Sequence, residues 1–453
     1  MVRFENSMPL PRALQLVVWF LVLTLMGLHA QAPQAVPQSV SAAPSSSSPV
    51  TLTLADALNR AKANSPQFQT ALTQFGLAKE DRVQARAALL PNVQYINSFI
   101  YTQGNGATSI YVANNGVHEY ISQGIFHEAL GFGSFADYQR VAALQALAKA
   151  KAEVAARGLV VTIVQLFYGL LAAHEKTLNV ERASNEARHF LDLSKKLEAG
   201  GEVAHSDVVK AHIQANDASR QLQDTRLGEE NARLSLAVLI FPNFFQDFVL
   251  VNDLASLSPL PNQASVEQLA KNNNPELQAV FAAMKAANKE VTVARAGHLP
   301  SLTVDFFYGI DANQFATEDR NGFRNLGYSG AATVNIPIFS WGATQSKVKQ
   351  AQLQRHQAQV ELSAAQRQAL ADFEAFYAEA RTSFGQVDIL RNSVDLAADS
   401  LRLTNLRYKA GEATALEVVD AQNTMTQALN ALHDGEVRYH LALANLQTLT
   451  GQF

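Results

Sequence analysis

Apolar residues return along this chain in two rhythms. Through most of its length Ala, Leu and Gln fill long stretches with few interruptions, the composition of helices that lie closely side by side. From Trp341 to about Tyr408 there is no proline, and glycine occurs only at Gly342 and Gly385. This predicts a helix of roughly sixty residues, about 100 Å at 1.5 Å per residue. Such a length belongs to a coiled coil or a strut rather than to a globular core. Between the long stretches the period changes to two. Leu302, Val304, Phe306, Tyr308 and Ile310 alternate with Ser301, Thr303, Asp305, Phe307 and Gly309. Tyr328, Ala332, Val334, Ile336 and Ile338 alternate with Ser329, Ala331, Thr333 and Asn335. Each run predicts a strand with one greasy and one wet face. Val93, Tyr95, Phe99 and Tyr101 form a similar stripe, and its partner near 117–126 is less regular, with His118 and Glu119 inside it. At about ten residues these strands are long enough to cross a bilayer when tilted. A soluble β-sandwich would show the same alternation.

The chain is written twice. Asn64-Ser65-Pro66-Gln67-Phe68 recurs as Asn273-Asn274-Pro275-Glu276-Leu277, and Leu90-Pro91 recurs as Leu299-Pro300, both 209 positions later. Ile125-Phe126 recurs as Ile338-Phe339, and Gly201-Glu202 recurs as Gly411-Glu412. Asp207-Val208-Val209-Lys210-Ala211 returns as Glu417-Val418-Val419-Asp420-Ala421. The period is too long for a solenoid repeat. It defines two structural units, 51–241 and 265–453, joined by a linker at 242–264 that Pro242, Pro259 and Pro261 punctuate. Each unit predicts a first helix (Leu52–Leu89, Ser265–His298), a helix-to-strand break at Pro91 or Pro300, two strands, and a pair of very long helices. The helix turns fall at Gly200, Gly201 and Gly411.

The N-terminus changes where the chain belongs. Arg3 and Arg12 flank the apolar run Ala13–Leu28, and small residues follow at Ala30 and Ala32, so residues 1–30 read as a secretory signal; a retained anchor is the other reading. The Pro- and Ser-rich segment 31–50 reads as a disordered leader. No other apolar run looks long enough for a transmembrane helix, so a membrane span would be built from β-strands. The net charge of −4 gives no electrostatic reason to propose nucleic acid. The chain has no cysteine, which excludes disulfides, thiolate sites and a lipidated N-terminal Cys. No His-Glu-x-x-His, phosphate loop or Gly-x-Ser-x-Gly is present, and neither enzyme chemistry nor a cofactor is expected. His205 with His212 and His433 with His440 repeat a seven-residue spacing, but neither pair has a third metal ligand nearby.

Four strands cannot close a membrane barrel, and an open edge is not tolerated in lipid. Several copies must pool their strands if they span a bilayer.

Leu54-x-x-Ala57-Leu58 with Asn64-Ser65-Pro66, Leu90-Pro91, Ile336-Pro337-Ile338-Phe339 with Gly342, and Tyr408-Lys409-Ala410-Gly411-Glu412 before Glu417-Val418-Val419-Asp420-Ala421 resemble the TolC-like outer-membrane efflux proteins, as does the closing segment Tyr439–Gly451. The resemblance spans about 51–451. It implies a mainly α protein with a small β part: a homotrimer whose four strands per chain close a β-barrel in outer-membrane lipid, above a periplasmic α-helical barrel. It also implies a passive exit duct, not an enzyme, that meets a periplasmic adaptor and an inner-membrane pump of RND or ABC type. By position Glu417 and Asp420 match the family's entrance carboxylates, which three chains would multiply into a cation-favouring ring. Tyr408 and Asp207 match participants in its gate hydrogen bonds. Ala413 stands where a basic gate residue is expected. The competing reading is a non-conducting structural coiled-coil protein of the cell envelope.

Overall fold

A computed structural model describes residues 50–102 and 118–451, and these belong to one unit, Pro49–Phe453. The secretory segment, nearly all of the leader and the terminal Phe453 lie outside the described residues.

The first half begins with a short strand, β1 (Val50–Leu52), then helices α1 (Leu54–Asn64) and α2 (Pro66–Ala87). Strands β2 (Asn92–Tyr101) and β3 (His118–Gly131) lead into α3 (Phe132–Ala199), and α4 (His205–Ile240) returns. A second short strand, β4 (Phe248–Leu250), opens the second half. There α5 (Gln263–Asn273), α6 (Pro275–Ala296), β5 (Ser301–Ala312), β6 (Leu326–Asn335), α7 (Ala343–Lys409) and α8 (Ala415–Thr450) repeat the order.

The expected 52–89 and 265–298 helices are each two helices. Pro66 and Pro275 cannot donate a ladder hydrogen bond, but at the first position of a new helix none is needed. Ser65 and Asn274 cap the new starts: Phe68 N donates to Ser65 Oγ (3.4 Å), and Glu276 N and Leu277 N donate to Asn274 Oδ1 (2.9 and 3.1 Å). Pro91 and Pro300 do not stop the helices. Helices α2 and α6 end earlier, at Ala87 and Ala296, and the prolines stand immediately before β2 and β5. The expected second strand of the later half also stops at Asn335, short of Ile336 and Ile338, because Pro337 cannot donate to a ladder.

The long helices are as extended as their composition predicts, with 68 residues in α3 and 67 in α7. Along α3 the sheet-proximal part lies against α2 and α6, and the distal part against α4 and α8. Where α1 meets α4, Asn64 Nδ2 donates to the carbonyl of Ile240 (2.9 Å). This junction holds the largest core: Leu52, Ala57, Ile163, Phe167, Leu171, Leu236, Ile240 and Leu254 are buried together. A stretch of α3 is long and apolar enough to cross a membrane by length and composition, contrary to the sequence reading. Its side chains Leu159, Ile163, Phe167 and Leu171 fill that core instead.

The linker is structured. Strand β4 pairs in parallel with β1, Val50 opposite Phe248. Beyond it, side chains of α7 and α8 hold the linker's carbonyls. His440 Nε2 donates to Leu254 O (2.9 Å), Arg391 Nη2 to Ala255 O (3.2 Å), Tyr377 OH to Pro261 O (3.2 Å) and Tyr439 OH to Ser258 O.

Candidate functional site

Both long hairpins turn on the same device. At the end of α3, Glu202 N donates to Leu197 O (2.9 Å) and Gly201 N to Glu198 O (2.9 Å). At the end of α7, Glu412 N donates to Arg407 O (2.8 Å) and Gly411 N to Tyr408 O (3.1 Å). These are Schellman turns, whose residue after the cap is left-handed. Gly201 (φ 78°) and Gly411 (φ 75°) take that role. Gly200 is right-handed, with φ −78°, so its counterpart Ala410 carries a side chain without strain.

Glu417 and Asp420 share the first turns of α8 but not the same environment. Glu417 closes a capping box: its Oε1 accepts from Thr414 N and Oγ1 (both 3.1 Å), and Glu417 N donates back to Thr414 Oγ1 (3.4 Å). Arg407 Nη1 reaches its other oxygen at 3.3 Å. The Thr414 backbone N–H, then the Thr414 hydroxyl and Arg407, hold this carboxyl below the usual carboxylate range. Asp420 is exposed, and its carboxylate has no hydrogen bond or ion pair among the described residues. Ala413, where a basic residue was expected, is half-buried against the apolar core of the tip.

The gate candidates Tyr408 and Asp207 are not joined. Tyr408 is 3% exposed, lies against Phe190 with ring centroids 4.9 Å apart, and shares a hydrogen bond with Ser194 Oγ (3.1 Å). Asp207, in the first turn of α4, pairs with Lys210 at 3.6 Å. Near the tip, a second polar link between the hairpins is Gln214 Nε2 to Asn423 Oδ1 (3.1 Å), which sequence reasoning missed. Its signal was available, since Gln214 and Asn423 stand 209 apart, close to the duplication period. Three of the four histidines singled out in the sequence are otherwise engaged. His205 Nδ1 meets Glu198 Oε1 (2.7 Å), His433 Nδ1 meets Glu436 Oε2 (3.3 Å), and His440 stacks on Tyr168 at 3.9 Å. No cluster fit to hold a metal occurs among the described residues.

At the other end, the four long strands form one antiparallel sheet in the order β2-β3-β5-β6. The register puts Val93, Tyr95, Phe99, Phe126, Leu302, Val304, Phe306, Tyr308, Tyr328 and Val334 on one face. Three polar groups on that face satisfy one another: Ser122 Oγ donates to Asn97 Oδ1 (2.6 Å) and shares a hydrogen bond with Tyr95 OH (2.9 Å). The opposite face carries Gln94, Gln123, His127, Asp305, Thr303 and Thr333, with His127 Nδ1 2.6 Å from Asp305 Oδ1. Among the described residues, β2 and β6 are both unpaired on their outer edges.

A sheet with one apolar and one polar face, standing on helices many turns long, is the fold of outer-membrane channels. The Campylobacter jejuni CmeC outer membrane channel superposes with a TM-score of 0.77 at 17% identity, over 88% of this chain and 85% of that one. In sequence, the outer membrane efflux protein family model matches residues 266–452. Outer membrane protein TolC of Vibrio cholerae is 25% identical over 414 residues, 88% of this chain and 90% of that protein. The alkaline protease secretion protein AprF of Pseudomonas aeruginosa is 23% identical over 412 residues, 88% of this chain and 84% of that protein. The chain is similar to the TolC-like outer-membrane efflux proteins, a family of channels rather than enzymes, and that similarity places it in the outer membrane, extending into the periplasm.

Proposed function

We propose that three copies of this chain form the passive exit duct of a tripartite efflux or type I secretion machine. The observation that carries this reading is the four-stranded sheet. It has an apolar face, a polar face and two open edges, a combination that lipid tolerates only in a closed barrel. Three sheets joined edge to edge make a twelve-stranded barrel, within the range of outer-membrane barrels. The helical hairpins then line a periplasmic tunnel whose tips meet a periplasmic adaptor and an inner-membrane pump. Residues 1–30 are the removed signal and 31–50 a leader, with the two repeats at 51–241 and 265–453 giving each chain two of six hairpin pairs. At the entrance Asp420 is the carboxylate offered to a passing ion. Glu417 serves first as the cap of α8, with Arg407 offsetting its charge.

A non-conducting envelope coiled coil accounts for the hairpins but gives the apolar sheet face no purpose. Mass and single-channel conductance of the protein, purified from outer membranes in detergent, separate the two readings. A trimer that opens a small, cation-preferring pore supports the duct. A monomer or dimer without conductance refutes it.

A further inference from the structure

The polar face of the sheet is interrupted by an apolar patch. Along this face of β5 the order is Asp305, Phe307, Gly309, and opposite them on β3 stand His127, Ile125 and Gln123. Ile125 and Phe307 are direct cross-strand partners, with Cβ atoms about 4.5–5.5 Å apart in such pairs. Ile96 of β2 stands opposite Gln123, on the diagonal from Ile125. Ile125 and Phe307 are half-buried and Ile96 is 37% exposed. Apolar side chains scattered singly over a wet surface call for no explanation, but three that adjoin one another mark a contact site.

Beside the patch the backbone is bare. Gly309 and Gly327 stand opposite each other on β5 and β6. A Cβ at Gly309 would collide with Ser122 O and Gln123 Cα, so only glycine fits there, whereas a Cβ at Gly327 would meet nothing within 4 Å. Phe307 thus borders a shallow step whose floor carries no side chain. Charge on this face is one-sided. Its carboxylates are those of Glu119, Asp305 and Asp311, and its described residues include no lysine or arginine. Asp305, two residues from Phe307, meets His127 Nδ1 at 2.6 Å, and its side chain remains 24% exposed. With a neutral His127 donating, Asp305 keeps its negative charge.

We infer that Phe307, Ile125 and Ile96, with the step at Gly309 and Gly327, form a ledge that binds organic cations carrying an aromatic ring. The ring lies on the step against Phe307, and the positive group is turned towards Asp305. The inference rests on the duct reading above, because only a closed barrel turns this face onto a water-filled lumen, and it adds a substrate class. An aromatic cation is recognised twice, by ring contact at Phe307 and by the carboxylate beside it. A small aliphatic cation is recognised by charge alone, and an aromatic anion is repelled.

The full-length protein is reconstituted in planar bilayers, with benzyltrimethylammonium as the probe and tetramethylammonium and benzenesulfonate as its controls. Benzyltrimethylammonium should block the potassium current at concentrations where neither control does. Phe307→Ala should raise the half-blocking concentration about fivefold, the loss expected for one aromatic contact. Gly327→Leu keeps Phe307 and every charge but fills the step, and it should weaken block to a similar degree. It also carries the test if Phe307→Ala does not assemble. A protein without conductance overturns the duct and the ledge together. A conducting protein in which benzyltrimethylammonium blocks no better than tetramethylammonium overturns the ledge and leaves the duct standing. Block that survives either substitution in an assembled channel does the same.

Discussion

Arginine at Phe306 tests the orientation of the sheet directly. Phe306 lies at the middle of β5, on the apolar face, opposite Phe126 on β3 and Gly330 on β6. The 12 residues of β5 at about 3.3 Å each extend about 40 Å, and a tilt of about 45° reduces the height to about 28 Å, close to the ~25 Å apolar band of such barrels. The midpoint of β5 therefore falls near the bilayer midplane. An arginine there costs about 2–4 kcal/mol, or about 6–12 kcal/mol over three copies. Phe307 is the control. It is the next residue, faces the polar side and stands opposite Ile125 and Ser329. Arginine at Phe307 meets water and loses only local apolar contact. The assay is the fraction of each variant recovered from outer membranes as a heat-modifiable, detergent-resistant oligomer. Phe306→Arg should lose most of it and Phe307→Arg should keep it. The opposite ranking would show that the faces are inverted. Equal recovery would remove the sheet from lipid altogether, and arginine at Val304 or Val334 should follow whichever pattern Phe306 sets.

The hairpin turns, the entrance carboxylates and the linker clamp each have their own test. Gly201→Ala or Gly411→Ala forces a side chain into a left-handed conformation, at a cost of about 1–2 kcal/mol each; urea denaturation measures it, and Gly200→Ala, right-handed, should be nearly neutral. Asp420→Asn should lower cation preference and divalent block in planar bilayers with unchanged thermal stability, whereas Glu417→Gln should mainly destabilise α8; reversed roles would contradict the capping geometry. His440 is held below its ordinary pKa of 6.5 by burial, which outweighs the Leu254 carbonyl and the nearby Asp253 and Glu436. Its contribution is complete above about pH 6.5 and is lost as pH falls toward the depressed folded value, at no more than about 1.4 kcal/mol per pH unit. His440→Phe keeps a ring against Tyr168 and should flatten that part of the stability–pH curve.

Much of this fold was legible because its elements are long and repeat. The 67 residues of α7 contain no proline, and the alternation from Leu302 to Ile310 has one strand solution. The details that escaped are decided by a single residue or by distant contacts. Pro66 and Pro275 read as interior residues of one helix, yet each begins a new helix because Ser65 and Asn274 supply the cap. Strands β1 and β4 have only three residues each, too few to show a period, and they pair across most of the first half. At the tip, Glu417, Asp420, Tyr408 and Asp207 could be chosen by position, but not their environments. Burial of Tyr408 against Phe190 and the pairing of Glu417 with Thr414 and Arg407 depend on how the hairpins pack.

The tip also bears on how the duct closes. With Ala413 in place of a basic residue, the polar links between the two hairpins at this end are, among the described residues, Tyr408 with Ser194 and Gln214 with Asn423. Both are neutral, each worth about 0.5–1.5 kcal/mol net, and salt does not screen them as it screens exposed ion pairs. The Arg407–Glu417 pair lies within one hairpin, so screening it does not loosen the joint between hairpins. Closure should then be indifferent to ionic strength, and single-channel conductance should rise with salt only in proportion to bulk conductivity. Tyr408→Phe combined with Asn423→Ala should enlarge the conductance at every salt concentration, because it removes both links and keeps the aromatic packing on Phe190. A steeper-than-bulk rise in the unmodified protein would mean that charged groups hold the entrance shut, and would return the gate to the carboxylates at 417 and 420.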